Sequence, residues 1–211
     1  MRTNLTPARF RTMKEYRVNI TNRHGTPIGH KCRIQVSLGN PRYEGEKLAS
    51  LIKWCGKRYD TTEIILSDTL QRHNRNTPHL WWDALRSNGE EWIKRNGLTD
   101  QNIIKWDDLL NRPDYSETWL DIYRCVNELP ELKRELGKTA KFFADKNGVP
   151  QRQCTAFLLE EMTAFQLLFK DPADDIYAGS WITPLLEKLP ECKNFHCISV
   201  DFERKKLQLA A

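Results

Sequence analysis

The chain has 211 residues, of which 39% are hydrophobic and 29% charged, and its formal net charge is +5. This length and composition predict one ordinary soluble domain with its own core. No apolar run approaches the roughly 20 residues that cross a bilayer, and the basic N-terminus lacks the apolar centre of a secretory signal, so we expect no membrane association and a cytoplasmic location. The positive charge favours a polyanionic partner, most simply a nucleic acid.

The six cysteines are scattered without a CxxC pair. Their number and spacing do not predict a disulfide framework, and cysteines within apolar patterns act as small hydrophobic residues. Cys192, His196 and Cys197 could supply metal ligands, but no second ligand pair lies nearby and Cys197 belongs to a strand pattern. We therefore expect no metal.

The first third of the chain predicts the fold class. Residues 1–27 are polar and predict an irregular N-terminal arm on a single domain that spans residues 1–211. A strand follows over residues 32–37, then an amphipathic helix over 46–58 and a second strand over 62–66. A strand, a helix and a strand within about 35 residues form a βαβ unit, whose strands are parallel, and this predicts an α/β protein.

The remainder of the chain is mostly helical in pattern. Residues 78–168 are predicted to be almost wholly helical, and residues 151–170 form the clearest helix. Strands are predicted near the end of the chain, at residues 195–202 and 206–209. No internal repeat or linker interrupts the sequence, which favours one domain.

The first strand ends in a hydroxyl group. Alternation along it puts one set of side chains on one face (Cys32, Ile34, Val36) and another on the opposite face (Arg33, Gln35, Ser37). In open α/β sheets, ligands bind at the carboxyl ends of the strands. Two interpretations account for the polar residues Arg33 and Gln35. The strand is either an edge strand with one solvent-exposed face, or it forms the wall of a pocket beneath Ser37.

A serine at this place needs help to act as a nucleophile. Serine requires a base or a polarising environment, and the sequence contains neither a GxSxG elbow nor a pattern that suggests a His–Asp pair. An acyl donor that is already activated, such as an aminoacyl ester, would suit Ser37 best.

The helix predicted over residues 151–170 carries a carboxylate on an apolar face. Phe157, Glu161 and Phe165 recur at intervals of four and share that face. Because a buried carboxylate is costly unless it is paired or used, Glu161 is either a structural salt-bridge partner or a group that binds a substrate ammonium and moves its proton. Tyr177 follows shortly afterwards, as a packing residue or as a phenol beside the reacting centre.

Taken together, these elements resemble the tRNA-dependent cyclodipeptide synthases. That family has a nucleophilic serine after its first strand, an asparagine three residues later, a tyrosine and a glutamate four apart on a late helix, and a second tyrosine soon after. Ser37, Asn40, Glu161 and Tyr177 match in order and spacing, and the resemblance extends over about residues 31–180. Three positions depart from the pattern: Phe157 replaces the helix tyrosine, Gln35 a usual glycine, and Ala178 a usual histidine or proline.

The resemblance implies a fold and a reaction. The fold would be a Rossmann-like parallel sheet flanked by helices, similar to the catalytic domain of class I tyrosyl- and tryptophanyl-tRNA synthetases. The reaction would join two aminoacyl-tRNAs into a cyclic dipeptide by a ping-pong route, without ATP or another cofactor, in a monomer. Ser37 would accept the first aminoacyl group, Glu161 and Tyr177 would hold its α-amino group, and Asn40 would fix the turn near the ester. The second aminoacyl-tRNA would supply the amine that attacks the Ser37 ester, giving a dipeptidyl-enzyme that cyclises.

Basic residues around the helix that starts near residue 78 are the predicted tRNA-facing group, against the plainer interpretation of a solvated basic face. They are Arg72, Arg75, Arg86, Lys94 and Arg95. If Arg33 and Gln35 line the first amino-acid pocket together with Phe157, the first residue incorporated would be polar, and a guanidinium would favour Glu or Asp.

Two other functions compete with this one. A synthetase-derived module that binds tRNA without catalysis would bind tRNA but make no product. An esterase that uses Ser37 on small activated esters would need no tRNA at all.

Overall fold

The computed structural model describes residues 15–74, 82–99, 101–178, 183–190 and 195–204. Its strands are β1 (Tyr16–Gly25), β2 (Lys31–Ser37), β3 (Thr61–Ser67), β4 (Asn102–Lys105), β5 (Asp174–Ala178) and β6 (His196–Arg204). Its helices are α1 (Gly45–Cys55), α2 (Trp82–Arg95), α3 (Trp106–Leu110), α4 (Tyr115–Glu128), α5 (Pro130–Asn147), α6 (Gln151–Phe169) and α7 (Thr183–Leu186), with short 3-10 helices at Pro41–Tyr43 and Thr69–Asn74.

The six strands form one mixed sheet in the order β1-β6-β5-β2-β3-β4. All neighbours are parallel except β1 and β6. The chain runs outward from β2 to β3 and β4, then returns to place β5 on the other side of β2. The strand order therefore reverses between β2 and β5, and a crevice opens at such a point beyond the carboxyl ends of the strands. The predicted α/β class and parallel βαβ unit are confirmed.

Helices cover both faces of the sheet. On one face, the apolar side of β2 (Cys32, Ile34 and Val36) packs with residues of α1 and α2 such as Leu48 and Trp92. On the other face, α3 to α6 form a second apolar cluster with the α7 segment. The predicted alternation of β2 is confirmed, and it directs the polar face of β2 toward the helices α5 and α6.

Two sequence-based predictions are wrong. The arm predicted over residues 1–27 contains β1, which pairs with β6 at the sheet edge. The half-buried and exposed residues of β1 do not alternate regularly, and its mostly polar sequence looks like irregular chain. The region predicted to be almost wholly helical also contains a strand, β4, which is four residues long and whose Ile103 pairs with Ile64 of β3. The strand predicted at residues 206–209 lies outside the described residues.

Within the described part of the chain, none of the helices combines the length and the apolar character needed to cross a membrane.

Candidate active site

A pocket of about 160 Å³ lies at the point where the strand order reverses. The ends of β2, β3 and β5 form its floor, and α5, α6 and the second 3-10 helix form its walls. Its lining consists of Gln35, Ser37, Ser67, Gln71, Asn74, Phe143, Asn147, Cys154, Phe157, Glu161, Phe165 and Tyr177. The pocket therefore brings together five residues that the sequence predicted from three separate segments: Gln35, Ser37, Phe157, Glu161 and Tyr177.

The turn after Ser37 holds the hydroxyl at the pocket. Gly39 has a φ of +83°, in the left-handed region that glycine adopts without strain. The Asn40 amide N–H donates to the Ser37 carbonyl at 3.2 Å, and the Asn40 side-chain oxygen accepts from the Arg42 amide at 3.0 Å, which caps the 3-10 helix that follows. Asn40 thus shapes the turn, but it does not line the pocket.

Tyr177 stands beside Ser37 across the boundary between β5 and β2. A side-chain hydrogen bond joins the two hydroxyl groups. Burial and the negative charge of Glu161 raise the pKa of Tyr177, while the bond to Ser37 opposes that rise. The phenol is therefore protonated at neutral pH and has a proton to donate.

The position of Tyr177 is supported by a second tyrosine that sequence reasoning missed. Tyr43 is fully buried, and its hydroxyl accepts the amide N–H of Ala178 at 2.6 Å. Its ring lies against that of Tyr177, with 6.2 Å between centroids. Trp92 of α2 in turn donates to the Tyr43 carbonyl at 3.1 Å. Tyr43 thus connects the Ser37 turn to the end of β5.

Glu161 is the ionisable group that faces this pair. It lies one turn beyond Phe157 on α6, among apolar side chains, and burial raises its pKa to about 8. Its Oε2 atom is buried without a hydrogen-bond partner among the described residues. An unpaired carboxyl group at a pocket wall is suited to bind a cation or to exchange a proton. Among the described residues no cation pairs with Glu161, so nothing there supports the alternative of a structural salt bridge.

Its neighbour Glu160 forms that salt bridge instead. Glu160 pairs with Arg72, lies 3.1 Å from His73 Nε2, and accepts the Trp106 indole N–H at 2.7 Å. Burial opposes ionisation of Glu160, but the bond from His73 and the charge of Arg72 outweigh it and lower its pKa. The preceding turn of α6 also contacts this cluster, since the Phe157 ring meets the His73 ring edge to face.

The structure separates the two polar residues of β2. Gln35 lines the pocket, and its side-chain amide donates to Asp175 Oδ1 at 2.7 Å, while its own oxygen is buried without a partner among the described residues. Burial raises the pKa of Asp175 to about 7, against the charge of Arg33 and the bond from Gln35. Since β2 lies between β3 and β5, the edge-strand interpretation is wrong.

The prediction that Arg33 lines the amino-acid pocket is also wrong. Its side chain is 1% exposed and lies 3.5 Å from Glu63, 3.4 Å from Asp171 and 3.9 Å from Asp175. Arg33 lies two residues before Gln35 on the same face of β2, where protein covers the strand, so the buried guanidinium pairs with carboxylates.

Most of the predicted tRNA-facing cations are already paired. Arg72 is largely buried against Glu160, so its prediction as a tRNA-facing residue is wrong. Arg86 contacts Asp83 and Asp107, and Arg95 contacts Glu44 at 2.7 Å. Lys94 is exposed, and no carboxylate of the described residues pairs with it. Arg75 lies outside the described residues.

The sequence did not point to the wall formed by α5 and the second 3-10 helix. Gln71, Asn74, Phe143 and Asn147 line the pocket although their segments are far from Ser37 in the chain. Their only local signal is a pair of residues at helical spacing, Phe143 and Asn147, and nothing in that spacing indicates a ligand.

Known proteins share this arrangement of elements. No family model and no curated protein sequence matches the chain. Among solved structures, a cyclodipeptide synthase from Fluoribacter dumoffii has a TM-score of 0.78 at 19% identity, and the match covers 91% of this chain and 100% of that one. The chain has the fold of the cyclodipeptide synthases.

Two further cyclodipeptide-synthase structures support that statement. A Mycobacterium tuberculosis protein, whose structure relates cyclodipeptide synthetases to type I tRNA synthetases, matches with a TM-score of 0.60 at 14% identity, over 84% of this chain and 87% of that one. A cyclodipeptide synthase from Candidatus Glomeribacter gigasporarum, bound to Phe-tRNAPhe, matches with a TM-score of 0.52 at 16% identity, over 88% and 92%. The cyclodipeptide-synthase fold, Rossmann-like as the sequence predicted, thus extends over most of the chain.

Proposed function

We propose that the protein is a cyclodipeptide synthase, an aminoacyltransferase that uses two aminoacyl-tRNAs. The observation that carries the proposal is the pocket in which Ser37, Glu161 and Tyr177 meet at the reversal of strand order. The shared fold agrees with it, and so does the Phe-tRNAPhe bound to one protein of that fold.

In the first step, the Ser37 hydroxyl attacks the carbonyl carbon of an aminoacyl ester. The ester bond to the tRNA ribose breaks, the ribose oxygen takes a proton, and the aminoacyl group remains on Ser37. Because the ester is already activated, the step needs no ATP. Tyr177, hydrogen-bonded to Ser37, is placed to donate to the oxygen that gains negative charge.

Glu161 binds the α-amino group of the aminoacyl moiety. A bound ammonium group lowers the pKa of a facing carboxyl group, so a Glu161 that is protonated in the free pocket becomes a carboxylate once substrate is bound. It can then take a proton from the ammonium and release a nucleophilic amine.

The second step must differ from the one that the resemblance implied, because that step does not place the dipeptide on the enzyme. If the amine of the second aminoacyl-tRNA attacked the Ser37 ester, the dipeptide would be left on that tRNA. For a dipeptidyl-enzyme to form, the amine held at Glu161 must attack the ester of the second aminoacyl-tRNA, whose ribose oxygen leaves. The new terminal amine then attacks the Ser37 ester, closes the 2,5-diketopiperazine ring and frees the serine.

The pocket suits a polar first amino acid, but not specifically an acidic one. The acidic preference depended on Arg33, whose guanidinium faces carboxylates outside the pocket. The unpartnered oxygen of Gln35 accepts hydrogen bonds, and the amides of Gln71, Asn74 and Asn147 also line the pocket. We therefore infer a first residue whose side chain donates a hydrogen bond.

The test is mass spectrometry on cells that express the wild type, Ser37→Ala, or a control Ser50→Ala, whose serine lies on α1 outside the pocket. We expect a new cyclic dipeptide from the wild type and the control and none from Ser37→Ala. Purified wild type mixed with aminoacyl-tRNA and quenched in acid should gain the mass of one aminoacyl group at Ser37.

The alternatives give different results. Binding of tRNA without acylation of Ser37 or product would favour the non-catalytic module. The esterase would be favoured if small activated esters acylate Ser37, if ribonuclease treatment leaves that acylation unchanged, and if no cyclic dipeptide forms.

A further inference from the structure

Helix α5 presents a row of exposed basic residues beside the pocket. Arg134, Lys138, Phe142 and Lys146 follow one another at intervals of four, so each lies one turn beyond the last on the outer side of the helix. The row spans about 18 Å at the rise of an α-helix. All four side chains are exposed, and Phe142, at 62%, is among the most exposed large apolar residues of the described chain.

These cations differ from Arg86 and Arg95 of α2, which are paired with carboxylates. Among the described residues, no carboxylate forms an ion pair with Arg134, Lys138 or Lys146, whereas Arg86 contacts two carboxylates and Arg95 contacts one. Lysine near the end of a helix is common because it complements the helix dipole, and that explains Lys146 alone. It does not explain a row that continues for three turns toward the start of α5.

The row leads to the pocket. Phe143 and Asn147, next in sequence to Phe142 and Lys146, line the pocket wall. The rings of Phe142 and Phe143 meet edge to face with 5.5 Å between centroids. An extended ligand that leaves the pocket past Phe143 therefore contacts the exposed ring of Phe142 first, with unpaired cations on either side of that ring.

We propose that this face of α5, the α5 row, binds the 3′ end and adjoining phosphates of an aminoacyl-tRNA. The inference depends on the proposed function, because an aminoacyl ester held at Ser37 obliges the single-stranded 3′ end of its tRNA to leave the pocket. Cations without partners attract phosphates, and exposed aromatic rings stack on unpaired bases. A solitary exposed aromatic residue is ordinary, but one between unpaired cations at the pocket edge fits single-stranded nucleic acid.

Three triple variants that each remove three positive charges test the surface. One changes the α5 row (Arg134→Gln, Lys138→Gln, Lys146→Gln), one changes the earlier candidates on α2 (Arg86→Gln, Lys94→Gln, Arg95→Gln), and one changes the end of α1 (Lys53→Gln, Lys57→Gln, Arg58→Gln). The last set is a charge-matched control away from the pocket, since Cys55 at the end of α1 contacts Cys32 near the amino end of β2, whereas the pocket lies at the carboxyl end of that strand. All carry Ser37→Ala, so that binding is measured without turnover.

Binding of tRNA is measured by fluorescence anisotropy across a salt series. We expect the α5 variant to bind tRNA at least about tenfold more weakly than its parent. The slope of the logarithm of its binding constant against the logarithm of the salt concentration should decrease in magnitude by about 2, as for the loss of three single-strand phosphate contacts. The α1 variant should bind like its parent. Three results would each overturn the proposal. The α2 variant could lose more affinity than the α5 variant, the α5 variant could bind as tightly as the α1 control, or the parent could bind no tRNA.

Phe142→Ala tests the stacking contact separately. We expect it to weaken binding of intact tRNA by about fivefold or more and to leave binding of tRNA without its single-stranded 3′ end unchanged. Equal losses with both tRNAs would contradict a role at the 3′ end. Circular dichroism checks that each variant is folded, as expected for exposed positions.

The outcomes separate this inference from the proposed function. A wild type that makes a cyclic dipeptide, together with an α5 variant that binds tRNA normally, would reject the α5 row alone. A wild type that binds tRNA through the α5 row but never acylates Ser37 would reject the synthase and keep the surface.

Discussion

Helix α6 sends two adjacent glutamates into two different regions of the molecule. Glu160 lies in a polar cluster with Arg72, His73 and Trp106, and its pKa is lowered. Glu161 lies at the wall of the pocket with one carboxylate oxygen unpartnered, and burial raises its pKa to about 8. The two side chains are chemically identical, so their surroundings decide that one stabilises the fold and the other is available for chemistry.

The largest expected effect comes from Glu161→Gln. The substitution keeps the shape of the side chain but removes its ability to take a proton, so we expect cyclic-dipeptide formation to fall by at least about 100-fold. Because the carboxyl group forms no salt bridge with any of the described residues, the free energy of unfolding should stay the same or rise. Product assays and urea unfolding measure the two quantities. Full activity in this variant would remove Glu161 from the mechanism.

Glu160→Gln should produce the reverse result. The variant leaves the Arg72 guanidinium, largely buried in this cluster, without its anionic partner, which we expect to lower the free energy of unfolding by about 2 kcal/mol. The Trp106 indole can still donate to the amide oxygen. Product formation, measured well below the unfolding midpoint, should remain close to that of the wild type. If Glu160→Gln lowers activity as much as Glu161→Gln does, the division between the two glutamates is wrong.

A third effect is a pH dependence of stability. The folded-state pKa of Glu161, about 8, exceeds its ordinary value of 4.5, so between these values the folded protein holds a proton that the unfolded chain has released. Stability must therefore fall as the pH rises through this window. Asp175, with a pKa of about 7, contributes in the same direction.

Urea unfolding at several pH values between 5 and 9 isolates the part due to Glu161. We expect the fall in stability with rising pH to be shallower in Glu161→Gln than in the wild type, with Asp175 responsible for part of what remains. Parallel curves for the two proteins would mean that Glu161 titrates near its ordinary pKa.

Some local features could be predicted from the sequence because they depend on short-range periodicity. Alternation along β2 predicted which face carries Ser37, and a spacing of four predicted that Phe157 and Glu161 share a face of α6; both predictions are confirmed. β1 and β4 were missed because periodicity within an exposed or very short strand is a weak signal. β1 is an exposed edge strand and β4 has four residues, and each is held in the sheet by pairing with a neighbouring strand.

The sequence by itself determined the α/β class, the place of Ser37 at the end of a strand, and the shared helix face of Phe157 and Glu161. Only the tertiary structure decided which polar residues face the pocket. Arg33 and Gln35 lie on the same strand face, yet one is enclosed by carboxylates and the other reaches the pocket. Spacing along the chain specifies the direction of a side chain, whereas packing of distant segments specifies what it meets.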